Sequence, residues 1–118
     1  MSSKGLIAIV ASAAAGLVIA LPAFGAPTAT TVDVTAGKPS ELRFTLSKKT
    51  VAKGVVTFKV ANRGKLEHDF KIAGKKTAKL KPGKTATLKL TLKKGKAAYL
   101  CTLPGHAAGG MKGTLTVK

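Results

Sequence analysis

Residues 85–117 read TATLKLTLKKGKAAYLCTLPGHAAGGMKGTLTV. In the first eight, Leu88, Leu90 and Leu92 fall on one face and threonine or lysine on the other, the period-two alternation of a half-buried strand. Gly95 punctuates the run, and AAYLC (97–101) reads as a second strand. GTLTVK (113–118) alternates again, with Leu115 and Val117 aligned. The segment between holds Pro104, Gly105, Gly109 and Gly110, which forbid a helix. Strand, turn, strand, loop, strand is a β architecture.

The same alternation runs upstream. TVDVT (31–35) aligns Val32 and Val34, and VVTFKVAN (55–62) aligns Val56, Phe58 and Val60. ELRFTLS (41–47) sets Leu42, Phe44 and Leu46 against Glu41, Arg43 and Thr45, and HDFKI (68–72) sets Phe70 and Ile72 against Asp69 and Lys71. No segment after residue 26 sustains a helical period. One apolar face per strand, repeated about seven times, predicts two antiparallel sheets packed face to face. Lys59, Lys71 and Lys89 take outward positions, where on edge strands they discourage aggregation. The stretch KKTAKLKPGKTATLKLTLKKGK is biased in composition, but its alternation predicts a strand pair rather than disorder. Its PGKTAT is no phosphate loop, because Ala78 stands where that motif needs glycine.

The 118 residues make one domain, preceded by a leader. Lys4, an apolar run from Leu6 to Leu21, Pro22 and then small residues follow the order of a secretory signal, with the small-residue cleavage zone around Gly25 and Ala26. Residues 1–26 are thus expected to be a signal peptide and 27–118 the folded domain; the alternative is an uncleaved anchor. The protein is expected to be exported, to a periplasmic or other extracytoplasmic place. One cysteine, Cys101, rules out an internal disulfide, and a free thiol is unusual in an exported protein. The formal charge is +17, from 21 basic residues against Asp33, Glu41, Glu67 and Asp69. That balance fits an acidic partner or an anionic envelope surface, or simply a well-solvated exterior. Nucleic acid is a weak third option and is not expected as a partner, given two arginines and few aromatics to stack on bases.

One short loop collects the soft side chains. Cys101, His106 and Met111 recur at steps of five, and Met111 is the only methionine besides the initiator. The chain has two histidines, so His68, in KLEHDFKI, is the remaining candidate ligand. One thiolate, two imidazoles and a weak thioether form the ligand set of a blue-copper electron-transfer centre. Thiolate and thioether suit Cu(I), and imidazole accepts Cu(II). Zinc is the main competitor, but a thioether serves it poorly.

CTLPGHAAGGM with an upstream HDF resembles the small blue copper proteins, the cupredoxins. The spacing is most like that of rusticyanin and auracyanin, and the resemblance covers essentially the whole chain after the leader. It implies a Greek-key β-sandwich of seven to eight strands with one copper ion at one end. It also implies that His68, Cys101 and His106 are the strong ligands and Met111 the weak axial one. Many members carry Asn where this chain has Asp69, and Asp69 is expected to accept a hydrogen bond from Thr102 in its stead. His106 is expected near the surface, ringed by Leu103, Pro104, Ala107 and Ala108. The activity implied is one-electron transfer by a monomer to redox partner proteins, without enzymatic turnover. Delivery or storage of copper, and a metal-free basic module binding an acidic surface, are the alternatives.

Overall fold

The computed structural model describes residues 29–118; the leader read at 1–26 lies outside the described residues. Nine strands follow in order: β1 (Thr30–Ala36), β2 (Phe44–Leu46), β3 (Thr50–Val51), β4 (Gly54–Asn62), β5 (Lys71–Ile72), β6 (Lys75–Lys76), β7 (Thr85–Leu92), β8 (Gly95–Leu100) and β9 (Lys112–Val117). They form two sheets, β2-β1-β4-β7 and β3-β9-β8-β5-β6. The chain passes from one sheet to the other after β2, β3, β4, β6 and β7. The all-β sandwich is as the alternation requires, with nine strands in place of seven or eight.

The sheets are mixed rather than antiparallel throughout. β1 pairs parallel with β4, Val32 opposite Phe58, and β3 pairs parallel with β9, Val51 opposite Val117. Each parallel pair joins strands separated by a crossing to the other sheet, a relation that periodicity does not encode. The two additional strands, β3 and β6, have two residues each, too short to alternate. β6 is an all-lysine outer strand, and Lys89 lies on outer strand β7, as expected of protected edges. β6 and β7 belong to opposite sheets, so the strand pair expected within residues 75–96 does not form. Two strands are also shorter than read. ELRFTLS contributes only Phe44–Leu46, and HDFKI only Lys71–Ile72.

The alternating faces meet in one core. Val32, Val34, Val56, Phe58 and Val60 from one sheet, and Ile72, Tyr99, Leu115 and Val117 from the other, are buried. Phe70 sits at the middle of an aromatic group. Its ring centroid is 5.3 Å from Phe44, edge-on at 85°, 5.3 Å from Phe58 and 5.5 Å from Tyr99. A smaller apolar cluster, Ala36, Cys101 and Met111, closes the end where β1 and β8 finish and β9 begins. That end carries the loops with the soft side chains.

Phe70 is fully buried two residues after His68, so its ring supports both the core and the approach to that end. Phe70→Ala is expected to lower unfolding stability by ~3–5 kcal/mol, measured by denaturant titration of the copper-free protein. A loss below about 1 kcal/mol would contradict that packing.

Candidate metal centre

The segment from Cys101 to Met111 is a run of turns clipped to itself. The Cys101 amide donates to the Met111 carbonyl at 3.1 Å, and the Met111 amide donates to the His106 carbonyl at 3.0 Å. Between them the His106 amide bonds the Leu103 carbonyl at 3.1 Å, and the Gly109 amide the Gly105 carbonyl at 3.0 Å. Gly110 holds φ at +112°, a backbone conformation that side chains disfavour, and a Cβ there would collide with the Arg43 guanidinium. The small residues are therefore what let the loop close. Cys101 and Met111 share one apolar cluster, 1% and 0% exposed, flanked by Leu42, Phe44 and Leu103.

His68 comes from the other side. It lies before β5, in an isolated bridge: its amide bonds the Leu80 carbonyl at 3.1 Å and its carbonyl accepts the Leu80 amide at 2.8 Å. Asn62, at the end of β4, shapes the intervening loop. Its Nδ2 donates to the Leu66 and Leu80 carbonyls at 2.8 and 2.7 Å, and its Oδ1 accepts the Gly64 amide at 2.9 Å. The His68 ring is 0% exposed and its Nδ1 lies 3.2 Å from His106 Nδ1. Cys101 Sγ is 3.5 Å from the same His106 nitrogen. The ligand atoms of His68, Cys101 and His106 all lie within 4.8 Å of one another.

The sequence expected Asp69 on an outward face, because Phe70 and Ile72 point inward. It is 1% exposed instead. The Thr102 amide donates to Asp69 Oδ1 at 2.6 Å, and the Thr102 hydroxyl donates to Oδ2. Both oxygens are thus satisfied, which permits burial. The contact expected between Asp69 and Thr102 is present, and it joins the residue after His68 to the residue after Cys101.

Glu41 is the residue the sequence reading missed. The alternation sets it opposite Leu42 and Phe44 on a strand, but it precedes β2 in a turn. Its carboxylate accepts the Lys65 amide at 2.8 and 3.0 Å and the Leu66 amide at 3.1 Å, and its Oε2 lies 2.6 Å from His68 Nε2. The only available signal was scarcity: it is one of four acids in a chain of charge +17. The Lys65 amide above all, then the His68 ring and the Leu66 amide, hold the Glu41 carboxyl at about 2, against an opposing effect of desolvation. Burial, the largest influence, pushes the Cys101 thiol above its usual 9.0.

The donor set fits a soft cation. A thiol sulfur and two facing imidazole nitrogens converge beside an apolar cluster that holds a buried thioether-bearing residue, Met111. With His68 Nε2 turned to a carboxylate, its Nδ1 faces His106 Nδ1, so both nitrogens point at one place between the rings.

Two consequences are measurable in the copper-free protein. Asp69→Ala strands the Thr102 amide and hydroxyl and is expected to cost ~1.5–3 kcal/mol of unfolding stability, with Asp69→Asn costing less. Glu41 stays ionised down to about 2 when folded, against 4.5 as its ordinary value. Its stabilising contribution is therefore fully present above pH 4.5 and is lost as pH falls toward 2. Acid titration of unfolding stability should show a loss in that window that is reduced in Glu41→Gln.

Comparison with known families matches residues 28–118 to copper binding proteins of the plastocyanin/azurin family. Comparison with curated protein sequences returns no match. Among solved structures, auracyanin B is similar over 81% of this chain and 93% of its own, at 24% identity and TM-score 0.68. Auracyanin A, a blue copper protein from the green thermophilic photosynthetic bacterium Chloroflexus aurantiacus, is similar over 77% of this chain and 100% of its own, at 21% identity and TM-score 0.66. Rusticyanin from Thiobacillus ferrooxidans is similar over 75% of this chain and 77% of its own, at 24% identity and TM-score 0.66. The structural likenesses establish the fold, and the match across the whole described domain establishes the family: this chain belongs to the plastocyanin/azurin family of copper-binding proteins.

Proposed function

We propose that this protein is an exported one-electron carrier. Its single copper ion would be held by His68, Cys101 and His106, with Met111 offering a weaker thioether donor. The observation that carries this reading is the convergence of the three strong donors within 4.8 Å at the loop-bearing end of the sandwich. Copper supplies the redox couple. The protein supplies a site in which little moves: His68 is bridged to Leu80, the Cys101–Met111 loop is clipped at both ends, and Asp69 ties the two together. Such constraint suits a metal that must change oxidation state with little rearrangement.

His106 is half-buried, between half-buried Leu103 and Ala107 and exposed Pro104 and Ala108. Leu66, the one large exposed hydrophobic among the described residues, is 50% exposed in the loop before His68. The residues around His106 would offer a small apolar face, of the kind that supports brief docking. Electrons would pass at the His106 edge. Every lysine among the described residues is exposed, so an acidic redox partner would be drawn in at long range. Export is supported by the signal-like residues 1–26, and both histidines belong to one site, leaving none for the second copper site that copper oxidases require. Cys101 and Met111, buried under a closed loop, disfavour a role in handing the metal over.

The test is copper addition to the domain from about residue 26 onward, alongside Cys101→Ser. An intense thiolate-to-copper band in the visible spectrum, absent from the variant, is the expected result. A folded protein without that band would overturn the reading and leave zinc or the basic surface. The rate of electron exchange with an acidic redox protein should fall as ionic strength rises from about 0.01 to 0.15 M. A rate indifferent to salt would contradict the role given to the lysines.

A further inference from the structure

Glu41 faces the buried ring of His68 from outside the metal site. Its Oε2 is 2.6 Å from His68 Nε2, the nitrogen remote from His106. An ionised carboxylate only accepts, so His68 Nε2 carries the proton and Nδ1 keeps its lone pair toward His106. The same carboxylate accepts the amides of Lys65 and Leu66, so one side chain sets both the ring and the loop that leads into it. Room for this is made by Gly64, where a Cβ would run into Glu41 Oε2 and come within 3.0 Å of His68 Nε2. Glu41 itself remains partly open to solvent, its side chain 29% exposed, while His68 is 0% exposed. Of the two acids that flank His68 in sequence, Asp69 has both oxygens on Thr102, and Glu67 is exposed and makes no hydrogen bond to the ring. The charge directed at His68 is therefore that of Glu41.

We propose that Glu41 is a positioning residue of the copper site, which selects the Nε2–H tautomer of His68 and, through that ring, lowers the reduction potential. This rests on the copper reading given above. A carboxylate behind a ligating imidazole orients the ring and raises its basicity, and a more basic ligand favours Cu(II) over Cu(I). Glutamine at this position keeps the shape but carries no charge, and an amide oxygen set at the Oε2 position to serve Leu66 and His68 leaves an NH2 donor where Oε1 accepts the Lys65 amide.

Glu41→Gln is the variant to make, and the reduction potential and the affinities for Cu(II) and Cu(I) are the quantities to measure. The expected result is a blue band like that of the unaltered protein, a Cu(II) affinity lower by about tenfold, and Cu(I) affinity little changed. A tenfold selective loss corresponds to a potential raised by about 59 mV for a one-electron couple. An unchanged potential, or equal losses in both oxidation states, would overturn the proposal while leaving the copper reading intact. Absence of the band from the unaltered protein would overturn both. A second measurement needs no variant. Long-range proton–nitrogen NMR of the copper-free protein should show His68 protonated at Nε2, and protonation at Nδ1 would overturn the proposal.

Discussion

The hydrogen bonds between Asp69 and Thr102 hold the two halves of the site in one frame. His68 belongs to a stretch bridged to Leu80, and Cys101 to the end of β8, and nothing in the local sequence of either requires them to meet. Asp69 follows His68, Thr102 follows Cys101, and the carboxylate takes both the amide and the hydroxyl of that threonine. A charged acceptor with two donors, 1% exposed, is a strong constraint, because leaving either donor unpaired in that place is costly. With this tie in place the remaining loop needs only to close on itself. It does so through the Cys101–Met111 and Met111–His106 backbone bonds.

The sandwich and three strong donors were legible because each rests on a short-range signal. Val56, Phe58 and Val60 alternate without interruption in the longest strand, and their neighbours follow the same period. Cys101, His106 and Met111 lie in one loop, and His68 is the only other histidine, so scarcity of residue types named the set. The contacts that orient those donors were less legible, because they are long-range and made by residues whose types look ordinary. Asp69 breaks the inward–outward rule since hydrogen bonding, not hydrophobicity, buries it. Glu41 reads as an outward strand position, but strand pairing begins only at Phe44, and the turn before it carries Glu41 back over His68. The parallel pairing of β1 with β4 is hidden for a similar reason, since it follows from the path of the chain through β3 and not from either strand.

The charge takes on a different meaning once the acids are located. Of four acidic residues, Glu41 and Asp69 are engaged in the hydrogen bonds that build the site. Few anions remain to offset a surface covered with lysine. The fold thus turns two of its four carboxylates toward His68 and Thr102, while Asp33 and Glu67 stay exposed among the lysines. The apolar seam and two carboxylates fix the site, while the lysines stay at the surface.

The most direct test of the account is copper-edge X-ray absorption of the copper-loaded domain, which reads the atoms bound to the metal. The account predicts a mononuclear centre with one short copper–sulfur bond and two imidazole nitrogens, and loss of the sulfur scatterer in Cys101→Ser. Scattering from oxygen and nitrogen alone, or a copper–copper vector, would contradict it, because neither arises from the donors gathered at His68, Cys101 and His106.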